Sequence, residues 1–81
     1  MAEDARMKDL VEYIAKSLVD NPSLVEVRQI TGSTSIILEL SVAQEDMGRV
    51  IGRNGRVANA IRTLLKVVAA KQGVRVTLEI V

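Results

Sequence analysis

The sequence predicts an α+β domain: element order α-β-β-α-α-β, a three-stranded mixed sheet, and three helices packed on one face of it. Three observations predict this. Two long segments, 4–19 and the stretch after Gly55, carry apolar residues at helical spacing. Two others, 36–41 and 74–80, alternate apolar and polar residues as half-buried strands do. The cluster Thr31-Gly32-Ser33-Thr34 is a turn signal between two strand-like runs.

Met7, Leu10, Val11, Ile14, Ala15 and Leu18 form the stripe of the first helix, read over 4–19, with Tyr13 as a partly buried neighbour. Asn21-Pro22 ends that helix, because the residue before a proline is pushed out of helical conformation. Residues 24–30 are rich in β-branched types and form a strand. Ile36, Leu38 and Leu40 alternate with Ile37, Glu39 and Ser41 in the next, and the short turn makes the pair antiparallel. A short helix is expected over about 44–51, with Glu45 and Asp46 in a first turn where the helix dipole favours acids. Gly48 within it reads as a close-packing point between helices, and Gly52 stops it. Val57, Ile61, Leu64, Leu65 and Val68 then share one face of a helix that ends near Gly73. Val74, Val76, Leu78 and Ile80 alternate with Arg75, Thr77 and Glu79 in the last strand. Reaching that strand through two helices implies a crossover to a parallel neighbour. Polar residues on one face of the strands leave that face bare and put the helices on the other.

Length and composition narrow the function. Eighty-one residues make one small domain, read over 1–81 without repeat, linker or low-complexity segment. The hydrophobic fraction of 48% supplies a core, which must be aliphatic because Tyr13 is the lone aromatic. The absence of Cys and His removes disulfides, thiolate chemistry, zinc sites built on those ligands and Ser-His-Asp triads. No metal and no cofactor is expected. The pairs Glu3/Asp4 and Glu45/Asp46 are adjacent in sequence, so they diverge on a helix and read as helix-terminal charges rather than an acid/base pair. Neither GxGxxG nor a Walker lysine is present, and the chain is expected not to be an enzyme. No signal-like run and no stretch long enough to span a membrane occurs, which implies a cytoplasmic protein.

The net charge of +1 conceals an asymmetry. Residues 1–46 hold nine acids against four bases, a net of −5, and residues 47–81 hold seven bases against Glu79, a net of +6. A basic half of this kind suits an anionic partner. The informative run within it is Gly48-Arg49-Val50-Ile51-Gly52-Arg53-Asn54-Gly55-Arg56. Two glycines flank two polar residues between two predicted helices. Gly52 can take a positive φ to end the first helix, and Gly55 lets another backbone approach the start of the second. The free N–H groups there, with the helix dipole, make an anion site largely from backbone. Arg53 and Arg56 add attraction, and Asn54 can donate a neutral hydrogen bond.

The run VIGRNGR resembles the signature of KH domains, in which a GXXG loop clamps a short single-stranded RNA backbone. The element order resembles the type II arrangement seen in bacteria, with a core at about 34–81. The wider run EDMGRVIGRNGRVANAIRTLL is similar to the small stand-alone bacterial KH proteins of the KhpA family. The resemblance spans essentially the whole chain and is strongest from Asp46 to Leu65. It implies that Gly52, Arg53, Asn54 and Gly55 grip phosphate, that Val50 and Ile51 line an apolar groove for bases, and that Arg49 and Arg56 flank the backbone path. Arg62 and Lys66 share a helix face whose simpler reading is solvation. The loop carries one basic residue, Arg53, where many KH loops carry more. The implied function is single-stranded RNA binding, as a post-transcriptional regulator or RNA chaperone. The implied partners are a second copy or another KH protein. The lack of aromatics fits, since ring-stacking RNA modules need a platform that Tyr13 alone cannot build. The rival reading is a protein-interaction module within a larger ribonucleoprotein assembly.

Overall fold

The structure of the chain, a computed structural model, describes residues 5–81. The first helix, α1, spans Ala5–Leu18. The expected start at residue 4, with the acids Glu3 and Asp4, lies outside the described residues. Met7, Val11 and Ala15 recur every four residues and are fully buried, so one stripe of α1 packs inward. Tyr13, expected to be partly buried, is 72% exposed. It lies two residues, or about 200° of helix turn, from Val11 and Ala15, on the side away from the core.

A 3-10 turn at Pro22–Leu24 leads into β1, Glu26–Thr31. β1 pairs antiparallel with β2, Ser35–Ser41, in a register that sets Val27 opposite Leu40 and Arg28 opposite Glu39. β3, Arg75–Ile80, pairs parallel with β2 and sets Ile36, Leu38 and Leu40 against Val76, Leu78 and Ile80. The order is β1-β2-β3, so β2 is central and β3 has a free outer edge. Burial follows from that order. Ile36, Leu38 and Leu40 are buried to 2% exposure or less, whereas on β3 only Leu78 is buried and Val76 and Ile80 remain half-buried. The strand period of two sends Arg28, Glu39, Arg75, Thr77 and Glu79 to the open face, where Arg28 and Glu39 pair at 3.1 Å.

The crossover from β2 to β3 contains a 3-10 turn, Gln44–Asp46, then α2, Met47–Ile51, and α3, Arg56–Gln72. Ala58, Ile61, Leu65 and Ala69 form the buried stripe of α3. Leu64, predicted to belong to it, is 51% exposed. It sits at the margin of the stripe, and smaller Ala58 and Ala69 take core positions instead. α3 ends in a Schellman motif: Val74 N–H donates to Ala69 O at 3.0 Å and Gly73 N–H to Ala70 O at 3.3 Å, with Gly73 left-handed at φ 72°. Residues from both layers, among them Met7, Val11, Leu38, Val50, Leu65 and Leu78, meet in one cluster.

One expectation around α2 is corrected and another is extended. Gly48 is not a close-packing point, because an added Cβ would meet nothing within 4 Å. Asp46 stands in the first turn, as expected, and its side chain also acts outside its own helix. Its carboxylate is 1% exposed and accepts the backbone N–H groups of Asp20 at 3.2 Å and Asn21 at 3.1 Å. Asn21 Nδ2 adds a longer contact at 3.5 Å. One buried side chain therefore ties the exit of α1 to the entrance of α2. Replacing it leaves two amides unpaired, each costing about 1–3 kcal/mol. Asp46→Ala is expected to lower the unfolding free energy by about 2–4 kcal/mol, read as a lower urea midpoint at unchanged slope.

Candidate nucleic-acid interface

The turn between α2 and α3 is built by backbone conformations that few residues adopt. Gly52 N–H closes α2 on Gly48 O at 2.9 Å, and Gly52 itself lies at φ 76°, ψ 173°, a region open essentially to glycine alone. A Cβ there would sit 2.5 Å from Val57 Cγ2 and 2.8 Å from Val57 N, so the chain passes close against the first turn of α3. Asn54 (φ 57°, ψ 26°) and Gly55 (φ 75°, ψ 13°) follow in the left-handed region, and Gly55 N–H donates to Gly52 O at 3.1 Å. Asparagine is among the non-glycine residues that best tolerate this conformation. The close approach expected at Gly55 is found at Gly52 instead. A Cβ on Gly55 would come only within 3.8 Å of Asn59 Nδ2, so its positive φ is what requires glycine.

Arg53, Asn54 and Arg56 are exposed, and Ile51 stands 36% exposed beside them. Among the described residues neither Arg53 nor Arg56 takes part in an ion pair. No side chain caps α3. Beyond Arg56, whose N–H donates to Arg53 O, its first-turn amides are available to an outside acceptor. Gly52, Arg53, Asn54, Gly55, Arg56 and Ile51 thus meet at one corner. Val50 does not: it is fully buried and supports the corner from within the core. Arg49 is drawn toward the exit of α1, with Nη2 3.1 Å from Asp20 Oδ2 and Nε 3.9 Å from Asp46 Oδ1.

About two helical turns beyond the corner, α3 borders a groove. Residues 55, 59, 62 and 66, spaced at three and four, run along one face of α3. Beside them, against the free edge of β3, lies a hollow of about 210 Å³ lined by Arg62, Leu65, Lys66, Val76, Thr77 and Leu78. A second, of about 310 Å³, shares Lys66, Val76 and Thr77 and continues toward Val74 and Arg75. Arg62 is more than a solvated cation. Its Nε and Nη2 donate to Leu78 O at 3.3 and 3.2 Å, and Nη1 donates to Asn59 Oδ1 at 3.3 Å. The signal for this groove was present in the sequence. A strand reached by crossover beside a hairpin is an edge strand, and its amphipathic helix must flank that edge.

A glycine-flanked four-residue turn between two helices, inside an α-β-β-α-α-β mixed sheet, defines a type II KH domain. The model of the KhpA/KhpB KH-domain family matches residues 8–80, and the chain belongs to that family. It is 60% identical to the RNA-binding protein KhpA of Clostridium acetobutylicum over 75 residues, covering 93% of this chain and 100% of the relative. The KhpA of Caldanaerobacter subterraneus subsp. tengcongensis gives the same identity and coverage. That of Borreliella burgdorferi is 52% identical over 80 residues, 99% of this chain and 98% of the relative. No solved structure gives a significant match.

The glycines separate in a stability measurement. Gly52→Ala meets both the forbidden φ/ψ and the Val57 contact and is expected to cost about 2 kcal/mol or more. Gly48→Ala, in open space on a helix, should leave thermal stability unchanged or raise it by up to about 1 kcal/mol.

Proposed function

We propose that this protein binds single-stranded RNA, gripping phosphate with the Gly52–Gly55 loop and receiving bases in the groove between α3 and β3. The observation that carries the reading is the uncapped start of α3 behind a loop held open by Gly52, Asn54 and Gly55, flanked by Arg53 and Arg56, which form no ion pair among the described residues. Such a corner takes an anion through backbone amides, and the adjoining groove is apolar enough for a base and wet enough at its rim for polar edges. Bases reach it only when unstacked, so unstructured RNA should bind in preference to a matched duplex stem. Ile51 borders the loop, Val50 holds it from behind, and Arg49 contributes at the flank through whatever share of its charge Asp20 leaves free. The relatives' name, RNA-binding protein, supports the same reading.

We read the chain as a single KH domain that acts by binding rather than catalysis, as a post-transcriptional regulator or RNA chaperone in the cytoplasm. Among the described residues no helix is long and apolar enough to cross a membrane. A domain of this size holds only about four nucleotides, so pairing with a second copy or another KH protein would raise avidity by about 10²–10⁴. Leu64 and Val67, each about half exposed on the side of α3 away from Arg62 and Lys66, are the apolar positions that favour such pairing.

Arg53→Asp combined with Asn54→Asp should abolish binding of an unstructured RNA oligomer in gel shifts while the circular dichroism melt persists, because both positions are exposed and Asp tolerates the left-handed region. Wild-type affinity in that double variant would refute the loop as the phosphate site. The wild-type log–log salt slope should be about −2 to −3, since each phosphate contact on a single strand adds roughly 0.7. Sedimentation at micromolar concentration should show an assembly larger than the monomer, lost in Leu64→Glu combined with Val67→Glu.

A further inference from the structure

We infer that Arg62 selects bases in the middle of the α3–β3 groove, favouring those that present a carbonyl oxygen over those that present an amino group: uracil over cytosine, and guanine or hypoxanthine over adenine. This rests on the RNA-binding reading above and adds to it a base preference set by one side chain.

The parallel ladder decides which backbone groups of β3 face outward. Arg75 N–H donates to Thr34 O and Val81 N–H to Leu40 O, both toward β2. Alternation along the strand then turns the N–H and C=O groups of Val76, Leu78 and Ile80 to the free edge. A bare edge offers donors and acceptors alike, and a base lying along it could present either. The Leu78 carbonyl is not bare. Arg62 donates to its oxygen through both Nε and Nη2, and a carbonyl oxygen has two lone pairs. A base amino group finds that acceptor taken and a positive charge beside it.

Arg62 puts donors where the acceptor was. A guanidinium carries five N–H bonds. Three are engaged, two with Leu78 O and one with Asn59 Oδ1, which leaves two. Lys66 lines the same hollow. The polar lining at this end is therefore weighted toward donors, between apolar walls from Leu65 and Val76. Uracil presents O4 where cytosine presents an N4 amine, and guanine presents O6 where adenine presents an N6 amine. Arg62 is pre-positioned by its three protein contacts, so little side-chain entropy is lost when a base arrives.

A purely structural Arg62, one that only ties α3 to the sheet edge, would change affinity or stability without changing preference. The experiment is fluorescence-anisotropy titration at fixed salt with octamers of uridine and cytidine, and with a matched pair differing by inosine for adenosine. Wild-type protein should bind the carbonyl member of each pair about 5- to 30-fold more tightly. Arg62→Met keeps the stem and frees Leu78 O, and should bring each ratio to within about twofold or invert it. Arg62→Lys keeps the charge without the fork and should lose most of the preference while retaining most of the affinity. Should the Met variant fail to give a cooperative melt, the Lys variant decides alone. Equal wild-type affinities within each pair, or variants that weaken both members by the same factor, overturn the inference and leave RNA binding standing. A wild-type protein that binds none of the octamers overturns the RNA-binding reading itself, and the inference with it.

Discussion

The parallel pairing of β2 with β3 is the constraint on which the rest of the molecule depends. Two parallel neighbours cannot be joined by a tight turn, so the chain must leave one end of the sheet, cross its face and return to the other end. Residues 42–74 make that crossing. The covering has to shield Ile36, Leu38 and Leu40 on the central strand, which Ile61, Leu65 and Ala69 of α3 help to do. The crossing is made by two helices, so there is a corner between them, and the corner is the Gly52–Gly55 turn. The geometry of that turn is thus a by-product of covering a mixed sheet whose β2–β3 pair is parallel. Its fine placement depends on Asp46, which fixes where α2 begins by holding the exit of α1.

Much of this architecture was legible in the sequence because periodicity reports burial directly. Alternation at Ile36, Leu38 and Leu40 located the central strand, and the two helical stripes located α1 and α3. The hairpin turn and the intervening helices fixed which pairing was antiparallel and which parallel. Periodicity misleads at the margins of a stripe. Leu64 is apolar and correctly spaced, yet half exposed, because its helix buries a narrower face than the apolar residues alone suggest.

Of the site, the loop was readable and its surroundings were not. Glycines with positive φ leave a spacing signature, and the left-handed Asn54 between them is a residue type that fits. Side chains that act across the fold leave none. Asp46 looked like a helix-terminal charge because sequence shows only its neighbours along the chain, whereas its partners lie about 25 residues away. Arg49 looked free for the same reason, although Asp20 holds it. Val50, adjacent to the loop in sequence, points into the core because successive helical positions are turned by about 100°, so that Val50 faces inward and its neighbour Ile51 faces out. The sequence pointed to Val50 and Ile51 as groove residues; the structure buries Val50 and shows a hollow further along α3, against the free edge of β3.

That free edge has a cost in any protein that carries one. Unsatisfied backbone groups in a row are a template on which a strand from another chain can grow, and unprotected edges are where sheets aggregate. β3 carries apolar residues at alternate positions, which would make it an adhesive strand if its edge were continuous. It is not continuous. The Arg62 guanidinium sits on the Leu78 carbonyl midway along, so an incoming strand would have to displace two hydrogen bonds to extend its ladder past that point. At the β3 edge, backbone pairing with a further strand is thereby interrupted at its midpoint.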